Sequence, residues 1–207
     1  MGLERTIAVL QGKDDDYQTE LFEPLITQIE KLSGKDYTDE KNQKPMRIMA
    51  DHIRAATFVL AEGVIQAKKE QGYVLRRLIR RSMRYASLLG GKDFSLASLA
   101  GVVVDQYKDI YPELWGNKGF VVDELRTEEE RFRQMLSRGI SEMGKLKKLD
   151  GKTAFFLYES LGFPLELTEE IARERGQKID HQAFEAEFKK HQELSRKTAG
   201  GRFKGGL

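Results

Sequence analysis

Apolar positions along this chain recur at spacings of three and four residues, with almost no alternation at period two. That pattern predicts an all-α fold, a multi-helix bundle with a C-terminal subdomain of short helices. The clearest stretch is residues 72–89, GYVLRRLIRRSMRYASLL. Wound at about 100° per residue, Leu75, Leu78, Ile79, Ser82, Met83, Ala86 and Leu89 gather on one side. Arg76, Arg77, Arg80, Arg81 and Arg84 gather on the other, so the pattern predicts five guanidinium groups facing away from the core.

The remaining elements come in order. Residues 1–11 read as a helix stopped near Gly12, and the abrupt start suggests a piece of a longer protein. A second helix is expected from Thr19, as N-cap, to Leu32, with Pro24 in its first turns and Gly34 as its stop. A third runs from about Pro45 to Glu62, with Ile48, Met49, Ile53, Ala56, Val59 and Leu60 inward. Residues 63–72 form the loop feeding the Arg helix, which ends at Gly90-Gly91. Ser95 caps a helix through Tyr107, and Pro112, Trp115 and Gly116 mark a turn. The longest helix is predicted over Phe120 to Lys147, with Glu128, Glu129 and Glu130 as a solvated face carrying i,i+4 pairs. Asp150-Gly151 is a turn, followed by short helices near 153–161, 167–175 and 181–197. Gly162 and Gly176 stop the first two, and Thr168 and Asp180 cap the second and third. The tail 198–207, TAGGRFKGGL, reads as a flexible linker.

Composition narrows the function. One third of the 207 residues are charged, yet the net charge is only +2, so any anion-binding role comes from local clustering. Residues 66–86 supply such a cluster, with seven basic side chains against the single acid Glu70. A solvated helix face is the plain reading of those charges. Against it stand the all-Arg composition of the face and the lack of a Glu at i−4 or i+4. Forked guanidiniums suit phosphates or a partner's carboxylates. The chain has no cysteine, which excludes disulfides, thiolate metal sites and a thiol nucleophile. It has no long apolar run and no signal peptide, so a cytoplasmic location without membrane contact is expected. No HExxH, metal-spaced His set or P-loop occurs, and His52, His181 and His191 lie far apart. By spacing alone the chain is a helical binding or scaffold module with no metal site and no catalytic residue of its own.

RNA helices expose a wide minor groove carrying 2′-hydroxyls and the guanine amino group. A protein reading it needs cations on the phosphates and an acceptor facing the guanine donor. The Arg helix meets the first need, and a carboxylate near the C-terminal helices, such as Glu159, meets the second.

Specific strings add a resemblance. MGLER before an apolar helix resembles the third signature motif of class II aminoacyl-tRNA synthetases, without that motif's first glycine. MADHIRAATFVLAEGV, then GYVLRRLIRRSMR, then FFLYESLGFPLELTEEIARERG resemble the alanyl-tRNA synthetase family in order and spacing, and the likeness covers most of residues 1–197. The resemblance implies the end of a catalytic domain over 1–12, a helical tRNA-recognition subdomain over 13–149, a C-terminal helical subdomain over 150–197, and a linker toward an editing domain over 198–207. It implies an ATP-dependent alanine–tRNA ligase using ATP with Mg in the parent enzyme, with zinc only in the editing domain. Lacking the first two class II motifs, this chain alone is not expected to activate alanine.

The family selects tRNA(Ala) by a G·U pair in the acceptor stem, flanked by an Asn in the loop before GYVLRR and an Asp in a later LYD string. By string matching Glu159 of LYES stands for the Asp. The loop's PSN reads QAK, which places Lys68 at the Asn position. Lysine donates but cannot accept, so this contact differs from an amide's, or Gln71 substitutes in another register. The expected tRNA contacts are therefore Glu159, Lys68, Lys69, Gln71 and members of Arg76, Arg77, Arg80, Arg81 and Arg84, other arginines pairing with acids such as Asp51. Gly2 and Arg5 match the motif that contacts ATP. Asp51, His52 and Arg54, from the family's DHIR string, are supports or contacts. Partners implied are the tRNA acceptor stem and the catalytic and editing domains, with no DNA. The competing class is a helical protein-interaction or interdomain scaffold module without RNA binding of its own, whose Arg face docks an acidic partner or a neighbouring domain.

Overall fold

The computed structural model describes residues 2–67, 70–90 and 94–202, with side chains described through Glu193. Among the described residues the chain is all-α, with ten helices and one 3-10 turn. None of these helices is long and apolar enough to cross a membrane. The chain divides into two compact units, Met1–Arg133 and Gln134–Leu207.

In the first unit, helices α1 (Leu3–Leu10), α2 (Glu23–Ser33), α3 (Glu40–Ala61), α4 (Glu70–Leu88), α5 (Leu96–Tyr107) and α6 (Pro112–Gly116) lead into α7 (Lys118–Lys145). Helices α3 and α4 form the central pair. Met49, Ile53, Ala56 and Leu60 of α3 and Leu75 and Ile79 of α4 are fully or almost fully buried as the apolar periodicity predicts, Ile48, Val59 and Leu78 are half-buried, and Met46 is buried without having been expected. Burying each of the fully buried Met, Ile and Leu side chains contributes about 1.5–3 kcal/mol.

The helix starts differ from expectation where a polar side chain bonds a neighbouring turn of chain other than the expected one. Thr19 does not cap α2 but is buried, its hydroxyl donating to the Asp16 carbonyl at 2.6 Å in the 3-10 turn Asp16–Gln18. Helix α2 starts four residues later, at Glu23. Helix α3 begins before Pro45, because Asp39 accepts from the Lys41 amide at 3.3 Å and Asn42 donates to the Asp36 carbonyl at 2.8 Å. Pro45 therefore lies inside the helix, near its N-terminal end. The expected Pro112 turn is the short helix α6.

The 3-10 turn is tied to α3 by a polar network. Tyr17 donates to Asp51 and Tyr37 donates to Asp15 at 2.5 Å. Arg47 donates to Tyr37 at 2.6 Å and to Asp15 at 2.9 Å. Burial and the Asp15 carboxylate push the Tyr37 phenol up to about 12. Burial also works to raise Asp15, but donors from Tyr37, the Tyr17 amide and Arg47 together hold its carboxyl below the usual range.

The second unit contains the end of α7, then α8 (Gly151–Leu161), α9 (Leu165–Glu174) and α10 (His181–Arg202). Asp150 and Thr153 form a reciprocal capping box, the Thr153 amide donating to Asp150 at 3.0 Å and the Asp150 amide to the Thr153 hydroxyl at 2.7 Å. Helix α8 thus opens two residues earlier than expected. Gly162 and Gly176 stop their helices with φ of 65° and 67°, a region open to glycine. Asp180 caps α10, accepting from the amides of Gln182 and Ala183 at 2.9 and 3.1 Å. Thr168 is instead buried inside α9. Phe155 and Tyr158 of α8 meet Phe184 and Phe188 of α10 through ring contacts of 5.7–5.9 Å. The backbone of α10 continues helically to Arg202, past the expected linker start at residue 198, and residues 203–207 lie outside the described residues.

Candidate RNA-binding surfaces

Helix α4 holds its guanidiniums in three different states. Arg77 is exposed, together with Tyr73 and Val74 along the same helix. Arg76, Arg80 and Arg81 are half-buried, and Arg84 is 6% exposed. The one-sided basic face expected from periodicity is thereby corrected. Arg84 enters the core layer beside Met83 and Tyr85, and Arg81 lies over the Tyr85 ring at 5.8 Å.

The physical reason lies on α7. Glu128 and Glu129, expected on a solvated face, are 2% and 6% exposed. Arg80 donates through Nε to Glu128 at 2.6 Å, and Arg76 Nε stands 4.0 Å from the same oxygen. The Arg80 guanidinium also lies 5.2 Å from the Phe132 ring centre. A carboxylate can be buried this deeply because cations and donors replace its lost water. Glu129 accepts from the Leu96 amide and so caps α5, a task expected of Ser95, whose side chain makes no cap bond. Burial raises the Glu129 carboxyl, opposed by the Leu96 amide and then by Arg133. No sequence signal announced either carboxylate, since their partners lie 48 and 33 residues away.

The loop before α4 is fixed at Gly72. A Cβ there would collide with the Ile65 carbonyl and stand 2.7 Å from the Ala67 amide nitrogen, so only glycine allows the approach. Gln66 adds a 3.4 Å bond to the Glu124 carbonyl. Gln71 is exposed in the first turn of α4, and Lys68 and Lys69 lie outside the described residues.

The DHIR side chains all face partners. Asp51 accepts from Tyr17, not from an arginine of α4. Arg54 donates to Glu4 at 3.0 Å and lies 4.0 Å above the Phe22 ring, which anchors α1, and His52 is half-buried. Gly2 is the extended N-cap of α1 and Arg5 is exposed on its first turn. An exposed guanidinium suits a phosphate. Leu3, Val9 and Leu10 are exposed on the same helix.

Glu159 belongs to the second unit, exposed on α8 and accepting from Ser160 at 2.7 Å. Lys152 and Phe156 are exposed on the same helix, features that composition alone did not single out. Among the described residues no group of three His, Cys, Asp or Glu side chains is placed to hold a metal ion.

Comparison with known proteins supplies the family. A profile described as tRNA synthetases class II (A) matches residues 1–204. An alanine–tRNA ligase of Borreliella afzelii is 50% identical over 216 residues, covering 100% of this chain and 36% of that protein. That of Borrelia hermsii is 47% identical with the same coverage, and that of Thermotoga maritima is 42% identical over 96% of this chain and 24% of its own length. The chain thus spans about a third of the curated spirochaete relatives it matches, 36% of their length. With helices in the order its strings demand and the match running through nearly every residue, the chain belongs to the class II tRNA synthetases (A).

Proposed function

We propose that this chain is the tRNA-recognition region of a cytoplasmic, ATP-dependent alanine–tRNA ligase. In this reading it holds the acceptor stem of tRNA(Ala) and reads the G·U pair for alanylation. The observation that carries the proposal is Glu159, an exposed carboxylate on a capped helix at the position its string match assigns to the reader. A carboxylate accepts and cannot donate, so it matches the guanine amino group exposed in the minor groove. Arg77 and Gln71 are the exposed α4 groups among those assigned to phosphate contact, and Lys68 and Lys69, assigned to it by sequence, lie outside the described residues. Arg80 acts through its bond to Glu128 as a brace that keeps α4 against α7. ATP with Mg serves the parent enzyme, where Gly2 and Arg5 would take part.

Titration with an acceptor-stem minihelix tests the reading. Binding should weaken with salt as counterions are released. Glu159→Gln should cost about 1–3 kcal/mol of discrimination between a G·U and a G·C stem. Equal loss on both stems would remove Glu159 from the reading role. A second reading, a surface for another domain, is favoured at α1 alone by its exposed Leu3, Val9 and Leu10.

A further inference from the structure

A second basic surface lies where α7 ends and α8 begins, within the second unit. Lys147, Lys148 and Lys152 are exposed there. Lys145 is committed elsewhere, bonded to Glu142 at 2.6 Å. Asp150, the acid among these lysines, caps α8, its Oδ1 accepting from the Thr153 amide at 3.0 Å and the Thr153 hydroxyl at 3.1 Å, bonds that with the nearby Lys148 charge hold its carboxyl below the usual range.

Helical spacing sets what stands beside that surface. On α8, Lys152, Phe156, Glu159 and Ser160 fall on one stripe, and all four are exposed. Lys152 precedes Glu159 by two turns, about 10 Å along the axis, with Phe156 between them. Ala154 and Leu157 are buried on the other side, and Phe155 and Tyr158 reach the ring of Phe184. Phe156 is 49% exposed. It is the aromatic of this helix for which no ring partner is found among the described residues.

A carboxylate entering an RNA groove is repelled by the phosphates flanking it. Ammonium groups on the same face offset that repulsion and fix the strand at a set depth. We infer that Lys147, Lys148, Lys152 and Phe156 form an RNA contact belonging to residues 134–207. In it the lysines hold the phosphates of one strand and the phenyl ring covers a ribose or base face beside Glu159. The inference rests on the reading of Glu159 given above and names the groups that position the RNA against it. The lysines are sequence-indifferent anchors and Glu159 alone discriminates.

The test uses the full chain and acceptor-stem minihelices carrying G·U or G·C, titrated over a range of salt, with circular dichroism as the check on folding. Replacing Lys147, Lys148 and Lys152 together by Gln should weaken both stems alike. It should also reduce the slope of log affinity against log salt by about two to three. A charge-matched control replacing the exposed Lys13, Lys35 and Lys44 should leave that slope unchanged. Phe156→Ser should lower affinity about fivefold or more at an unaltered slope. A slope in the α8 triple variant equal to wild type, or lowered no more than in the control, overturns the inference. If that happens while Glu159→Gln still loses discrimination, only the anchors fail. If the wild-type chain binds neither stem, the anchors fall together with the reading of Glu159.

Discussion

Replacing Glu128 by Gln keeps the shape of the side chain and removes its charge, which leaves two arginines without their counterion. Glu128 is 2% exposed and lies 2.6 Å from Arg80 Nε and 4.0 Å from Arg76 Nε. Those two arginine side chains are 13% and 23% exposed, so neither regains full hydration when the carboxylate is lost. Removing one partner of a buried pair costs about 3–5 kcal/mol. The partial solvent access of both guanidiniums places this site near the lower bound, about 3 kcal/mol. For a chain of this size that is a fall in Tm of roughly 6–12 °C. The assay is urea and thermal unfolding of wild type, Glu128→Gln, Arg80→Met and the double variant. The double variant should be less destabilised than the sum of the single changes, because removing both charges leaves no orphan. A loss of stability below about 0.5 kcal/mol, the ordinary range for surface changes, would refute the view that Glu128 braces α4.

Two further outcomes test the supports of the site. Gly72→Ala gains about 1 kcal/mol in helix propensity but drives a methyl group into the backbone of residues 65–67, which costs about 1–3 kcal/mol. A net loss in urea unfolding together with weaker stem binding is expected, and a stabilised variant would contradict the close approach. Asp15 has a folded-state pKa below its unfolded value, so its contribution is present above the unfolded pKa and disappears as pH falls through the folded one. Tyr37 has the opposite sign, contributing below its unfolded pKa and losing that contribution as pH rises through about 12. Asp15→Asn should cost about 1–2 kcal/mol at neutral pH and flatten the acid limb of stability against pH. An acid limb as steep as wild type would remove the Asp15 network from that role.

Local rules made the helices legible before any coordinates. Periodicity placed the buried faces of α3 and α4, and single residues marked the stops at Gly162 and Gly176 and the cap at Asp180. These signals lie within one or two turns of what they control, so one stretch of chain contains them whole. The string bearing Glu159 was equally visible, and with it the family.

Tertiary structure alone decided the fate of the charges. Three glutamates in a row look like a solvated face under any rule that inspects neighbours at i±4. Two of them are buried because Arg80 and the start of α5 meet them from 48 and 33 residues away. Glu128 likewise sets Arg76 and Arg80 of α4 apart from the exposed Arg77. Thr19 and Thr168 left their expected caps by a local route instead, each buried with its hydroxyl donating to a carbonyl three or four residues back. A charge has no intrinsic side: desolvation is decided by whatever the folded chain brings opposite it, and for Glu128 and Glu129 that was written nowhere in their own turn of helix.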